Sequence, residues 1–495
     1  MACALKLALL TSAAIGAFPA LALAAHTVTF STQTQGPTPF IEVLRVDVTG
    51  AKQLSSVQFT ITPKPGSYTR PISATYSAAY MIAHGYWSGD RNVMRIPVFG
   101  TYSGYTNNVT FTFSFADTAP VIQDVPVTTA AYTDSCNVLN NRTVIVSNRQ
   151  ATSDLSFDYF LLKKYCDKTN PTILDTDGEV RFTGDNHVAA FSSTFFDNAF
   201  YITDGKTGIN RMDFDGTLTH IGDYANIGVT LTNHHNFDLG KTGVVMEVNT
   251  TTQFEATNLE VDAMGNVLNE WDFGKIISNA MIAGGDDPSG FVLAFPTDWF
   301  HNNATTYNPA DNTLIVSSRE NFVIAVDYDT QQIKWILGDH TKHWYQYKSL
   351  RKFALSMPNG TRPPIGQHAI SIDDSGNLLL HDDGFKSQTQ VPAGKQRGFT
   401  SARAYHIDTT AMTATEVFTY AQHGEIYDPI CGSTYEDAPK NYMIDYATAD
   451  NETIMELVGL APGKKKIFDY QYPAVNYCSS GWNAEIIHLD NLQFN

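Results

Sequence analysis

Five positions stand at one phase of a degenerate repeat: His187, His235, His301, His368 and Thr434. Each opens the first strand of its unit, where a repeat built only for packing would carry a small or apolar residue. Imidazoles gathered from several units can bind a transition metal, or they can serve as acid, base or nucleophile. No HxH or HExxH lies nearby and no Asp or Glu shares the phase, which counts against a metal. Arg319 follows His301 by 18 residues in the same unit, at the end of the strand Leu314-Ile-Val-Ser-Ser-Arg319. A hairpin returns that end to the strand bearing His301. A guanidinium fork matches the oxygens of sulfate, phosphate or carboxylate and repels a metal cation. Asn303, two residues beyond His301 and on the same face, adds an amide donor. These residues predict anion chemistry, with no metal and no cofactor.

The elements that must position them are strands. Short runs rich in Val, Ile, Thr, Phe and Tyr alternate with Gly, Asn and Asp turns, and long helical periodicities are scarce. From about residue 135 the units recur at roughly 50–65 residues. Asp374-Ser-Gly-Asn-Leu-Leu-Leu380 matches Asp311-Asn-Thr-Leu-Ile-Val316, and Met212-Asp-Phe-Asp-Gly-Thr-Leu218 matches Val261-Asp-Ala-Met-Gly-Asn-Val-Leu268. Four-strand units at this spacing predict a β-propeller, with five blades read directly and a sixth inferred. The first strand of each blade is then innermost, so the histidines face the central channel. Ahead of the repeat, Val28 to Pro120 carries alternating strands such as Val57-Gln-Phe-Thr-Ile-Thr62 and predicts a small β-sandwich. The expected class is all-β: a signal peptide over 1–25, an N-terminal β-sandwich over 26–128 and a six-bladed β-propeller over 129–495.

Export is read from the first residues, where Lys6 precedes an apolar stretch from Leu7 to Leu23 and Ala22-Leu23-Ala24 fits a cleavage site. The expected destination is the periplasm or the exterior. Cleavage removes Cys3 and leaves Cys136, Cys166, Cys431 and Cys478, an even set in an oxidising compartment. Sequence order favours Cys136–Cys166 and Cys431–Cys478, among three open pairings. A formal net charge of −18 argues against nucleic acid and against an anionic membrane surface as partners. No later run is long and apolar enough to span a bilayer. Oligomeric state stays open, a homodimer included.

Several segments together resemble one family. Asp298-Trp-Phe-His-Asn-Asn303, Ser317-Ser-Arg319 and Ile333-Lys-Trp-Ile-Leu-Gly338 are similar to the core signature of the bacterial aryl-sulfate sulfotransferases. Gly366-Gln-His368, followed by Leu378-Leu-Leu-His-Asp-Asp-Gly384, resembles that family's Gln-His segment. The match continues through Ser401 to Asp408 and Tyr427-Asp-Pro-Ile430, and it is strongest from about 295 to 435. The resemblance implies transfer of a sulfuryl group from a phenolic sulfate donor to a phenol acceptor, without a nucleotide donor and through a sulfated histidine. By motif, His368 would be the nucleophile and Arg319 would bind sulfate. His301 and Asn303 would bind the sulfuryl oxygens or serve the leaving phenol. His234 or His235 completes the pocket, with His235 preferred on phase, and Thr434 matches a pocket threonine.

The chemistry suits those roles. Sulfuryl transfer, like phosphoryl transfer, leaves the protein mainly positioning and electrostatic stabilisation to perform. Phe295, Trp299, Phe300 and Tyr427 are candidates for the wall against the phenol ring, set against ordinary blade packing. His340, His343 and His423 read as solvated loop residues and Lys464 to Lys466 as a solvated turn. Alternatives are a sulfate-ester hydrolase, a non-catalytic ligand-binding propeller, and a metal-dependent propeller lyase or lactonase.

Overall fold

The computed structural model describes residues 26–150, 155–185 and 190–495. The expected signal peptide and His187 lie outside the described residues. Two sheets form the N-terminal sandwich. One orders Val28–Gln35, Ile41–Val48 and Val93–Phe99; the other is built on Leu54–Ile61, Ile72–Ser77, Thr106–Phe115 and Val121–Thr128. Along Thr106–Phe115 burial alternates residue by residue, which places Val109, Phe111 and Phe113 in the core. Leu492–Phe494, from the far end of the chain, pairs in parallel with Ile72–Ser77 and extends this sheet.

Six antiparallel sheets then form the blades of a propeller. Their inner strands are Asn483–Ile487, Ser193–Phe196, Phe237–Leu239, Asn302–Asn308, His368–Ile372 and Ser433–Glu436, for blades 1 to 6 in order. Neighbouring members of this set pack side by side around the channel. The ring closes twice. Asn483–Ile487 supplies the inner strand of blade 1 against Tyr159–Lys163, and Thr143–Ser147 adds an outer strand to blade 6 against Lys465–Pro473.

Middle strands are sandwiched between blades, so both of their faces are covered. Val244–Thr250 and Tyr442–Thr448 are buried at every residue. Separate apolar layers fill the gaps between blades, with Leu314, Val316, Phe322 and Ile324 in one and Ile315, Val323, Leu378 and Leu380 in the next. The repeated Asp-bearing turn has a physical cause. Asp373 Oδ1 accepts from the N–H groups of Ser375 and Asn377, Gly376 takes φ +77°, and Asp262 with Gly265 repeats the arrangement.

One helix interrupts the pattern and was missed by the strand periodicity. Phe273–Ala283 starts at Asp272, whose side chain accepts from Lys275 N, and buries Phe273, Ile276, Ile277 and Met281. That face packs into the layer holding Phe291, Trp299 and Phe300, which fixes the chain entering His301. Both disulfides pair as sequence order suggested, Cys136–Cys166 and Cys431–Cys478. The second spans 47 residues, so its loss frees the unfolded chain by about 4 kcal/mol in the loop-entropy account. A Cys431→Ser/Cys478→Ser variant is expected to unfold at clearly lower urea, read from the midpoint by circular dichroism.

Candidate active site

The histidine phase becomes geometry at the N-terminal ends of the inner strands. His368 opens its strand, His301 and His235 precede theirs by one and two residues, and Thr434 is second in its own. Ring centroids lie 4.6 Å apart for His235–His301 and 6.2 Å for His235–His368. His234 joins them, 4.2 Å from His235 and 6.2 Å from His301. The Nδ1 atoms of His234 and His235 face each other directly, so both lie in the cluster. A separate cavity of about 450 Å³ opens at the other ends of the inner strands, lined by residues such as Asp238, Tyr307 and Glu485. None of these histidines lines it.

His368 is buried. Its Nδ1 faces the Gly366 carbonyl at 3.2 Å and the Asp383 carboxylate at 2.8 Å. The Gly366 carbonyl can only accept, so the ring proton sits on Nδ1 and the lone pair on Nε2. Gly366 sits at φ +67°, where an added Cβ would meet the Phe385 carbonyl oxygen at 2.6 Å. Burial, then Arg319 and His301, hold the His368 imidazole well below its ordinary range, so the ring is neutral.

Arg319 follows the strand Thr313–Ser318, and its backbone N–H donates to the His301 carbonyl at 3.0 Å. Its Nη1 donates to Glu320 Oε1 at 2.8 Å, while the buried Nη2 has no protein partner. Glu320 is pinned in turn by Ser387, the Gln388 N–H and Thr389. Burial pushes the Glu320 carboxyl up, but Arg319, Ser387 and Thr389 outweigh that and bring it to about 2. A buried guanidinium with one unspent donor is costly unless an anion completes it.

His301 is the opposite of His368. Its Nδ1 donates to Asp298 Oδ2 at 2.5 Å, with Glu255 Oε2 beside it at 2.6 Å. Burial alone would lower its pKa; Glu255 and Asp298 override this and raise it to about 10. His301 is therefore an imidazolium at neutral pH. No Asp or Glu was expected at the repeat phase; these two carboxylates reach His301 from outside it. Two trios, His234/His235/Glu247 and His235/Glu255/His301, bring ligand atoms within 4.8 Å of one another. Protonated His301 and nearby Arg319 disfavour a cation there.

Other expected residues sit differently. Asn303 gives an N–H to the Gln367 carbonyl at 2.8 Å, tying blade 4 to the residue before His368, and its Oδ1 is unpartnered. Thr434 is fully buried and bonds His381 Nδ1 at 3.2 Å, while His381 Nε2 faces Asp428 at 3.3 Å. Trp299 and Phe300 are blade packing rather than pocket wall; Phe295 is exposed and Tyr427 half-buried. His340 and His343 are half-buried, the first stacked on Tyr345 and the second bonded to Gln390, so neither is a solvated loop residue. His423 is exposed as expected.

Sequence reasoning missed Trp482, whose ring lies 5.1 Å from His235 and 6.4 Å from His368 and stacks on Phe191 at 4.4 Å. It also missed Glu255, Asp298, Asp383 and Glu320. Asp298 and Asp383 lie inside the motifs already quoted, whereas Glu255 lies in a loop with no periodic signal.

The channel mouth thus joins His368 and His301 in contrasting settings with an arginine whose Nη2 has no partner among the described residues. Residues 134–482 match the family described as arylsulfotransferase (ASST), and residues 42–130 match the arylsulfotransferase Ig-like domain. The chain belongs to the arylsulfotransferase family. It is 26% identical over 234 residues to the arylsulfate sulfotransferase AssT of Escherichia coli O6:H1, covering 38% of each chain. A second AssT, from Lelliottia amnigena, is 24% identical over 218 residues, 35% of this chain and 36% of that one. The chain thus spans under two fifths of the length of these relatives. The computationally designed Ika8 protein is 12% identical with a TM-score of 0.28, covering 77% of this chain and 93% of that one, and carries no argument.

Proposed function

We propose that the protein is an exported aryl-sulfate sulfotransferase that moves a sulfuryl group from a phenolic sulfate to a phenol without a nucleotide donor. The observation that carries this reading is the contrasting setting of two imidazoles near Arg319: His368 Nδ1 against the Gly366 carbonyl, which leaves the lone pair on Nε2, and His301 Nδ1 against Asp298 and Glu255, which favour its protonated form. Arg319 Nη2 binds a sulfuryl oxygen, and Trp482 with Phe191 offers a face to the aryl ring. Nε2 of His368 attacks sulfur and the ester S–O bond breaks. Its electron pair stays on the phenolate oxygen, which takes the proton from His301 Nε2. The Gly366 carbonyl and the Asp383 carboxyl group, both at Nδ1, keep the sulfated ring oriented. An incoming phenol returns its proton to His301 while its oxygen attacks sulfur and the N–S bond breaks. Asn303 and Thr434 act by positioning, through Gln367 and His381.

Incubation with 4-nitrophenyl sulfate after exhaustive chelation tests the reading. Nitrophenol release stimulated by added phenol is the expected result. Release indifferent to phenol would make the protein a sulfate-ester hydrolase, and no release would leave a binding propeller. The donor half-reaction also has an expected pH profile. His368 loses its lone pair only well below its ordinary range, and His301 loses its proton only near 10. With phenyl sulfate as donor, the burst of phenol should stay flat from about pH 6.5 to about 10 and fall above that. A descending limb centred near an unperturbed histidine would contradict this account.

A further inference from the structure

Glu255 occupies a backbone conformation that side-chain-bearing residues rarely adopt, φ +51°, and His301 does so at φ +55°. Such conformations persist where their surroundings over-determine them. The Glu255 N–H donates to Asn249 Oδ1 at 2.8 Å, and its carbonyl accepts from Asn302 N at 2.9 Å. Blade 3 and blade 4 are thereby clamped at the residue that follows His301. The side chain emerges between two imidazoles, with Oε1 2.6 Å from His234 Nε2 and Oε2 2.6 Å from His301 Nδ1. Its side chain is 13% exposed and that of Asp298, the second anchor, 25%.

We propose that Glu255 is a positioning residue that keeps His301 a proton donor toward the departing phenolate, with Asp298 as its partner. This deepens the transfer reading and rests on it. Glu255 and Asp298 are the anions in contact with His301, and Glu320 also acts on it; His234, His235 and His368 face it from other blades, and Arg319 adjoins it within its own blade. With both carboxylates in place the ring carries a proton on each nitrogen. The Nε2 proton passes to the phenolate oxygen as the S–O bond breaks, and Nδ1–H remains on the carboxylates. His234 stands between Glu255 and His235, with its Nδ1 against that of His235.

A role in proton donation depends on the leaving group, whereas a structural role does not. A nitrophenolate departs unaided; an ordinary phenolate, with a parent pKa near 10, needs the proton. Glu255→Gln keeps the shape and removes the charge. Transfer from 4-nitrophenyl sulfate is expected to stay within about threefold of wild type, and transfer from phenyl sulfate to fall by about 10²-fold or more. Asp298→Asn, at the more exposed anchor, gives the same donor dependence and serves if the Glu255 variant does not fold. Equal losses on both donors, or none on either, would overturn the role of Glu255 while leaving the transfer reading intact. A wild-type protein inert toward both donors would overturn the transfer reading and this inference with it.

Discussion

Replacing His368 by asparagine is expected to lower sulfuryl transfer by about 10⁴-fold or more and to abolish acid-labile protein-bound sulfate. The size of the effect follows from what the residue does. A group that forms the covalent bond cannot be replaced by binding energy from its neighbours. Asparagine can still donate toward the Gly366 carbonyl, which accepts from Nδ1 in the wild type, so the strand His368–Ile372 keeps its start. Unfolding midpoints should therefore move little. Mass spectrometry of the intact protein, quenched after exposure to donor alone, reads the adduct directly. A variant that kept its turnover, or that still carried sulfate at this position, would remove His368 from the nucleophile's place.

The second large effect is expected at Arg319. Arg319→Ala should reduce kcat/KM by about 10²–10³-fold, the usual cost of deleting a preorganised donor at an oxyanion. It should also end competitive inhibition by inorganic sulfate. The variant loses more than a charge. Glu320 is held among Ser387, Gln388 and Thr389 with Arg319 across from it, and without the guanidinium it becomes a buried anion facing the substrate's own negative charge. Arg319→Lys restores the charge as a single point. It cannot meet Glu320 and a sulfuryl oxygen at once as the fork does, so partial recovery is expected, well short of wild type. Full activity in the lysine variant would mean that charge alone, without the fork, carries binding.

The phase of the repeat was legible because a strand start at the channel is a local property. His235, His301 and His368 could be placed together by counting along the chain. Arg319 was legible for the same reason, since one hairpin separates it from His301. What escaped was non-local. Blade 1 takes its inner strand from Asn483–Ile487, more than three hundred residues from its partners, so nothing near Tyr159 marks the seam. Trp482 reaches the histidines only because of that seam. Glu255 escaped for another reason: a loop residue at positive φ follows no period, and its value lies in the two rings that it meets. Anion chemistry could be inferred from one arginine among histidines. The carboxylates that favour the protonated form of His301 could not.

The double closure of the ring bears on when this protein can begin to work. Synthesis proceeds from the amino end, so His235, His301, Arg319 and His368 are all made before Trp482 and the strand Asn483–Ile487. Until that strand docks on Tyr159–Lys163, blade 1 lacks its channel edge and the aromatic face beside His235 is missing. The reactive imidazole therefore exists in the growing polypeptide long before the pocket that would make it reactive. Completion of the site thus waits on the strand Asn483–Ile487, which is made after every other inner strand.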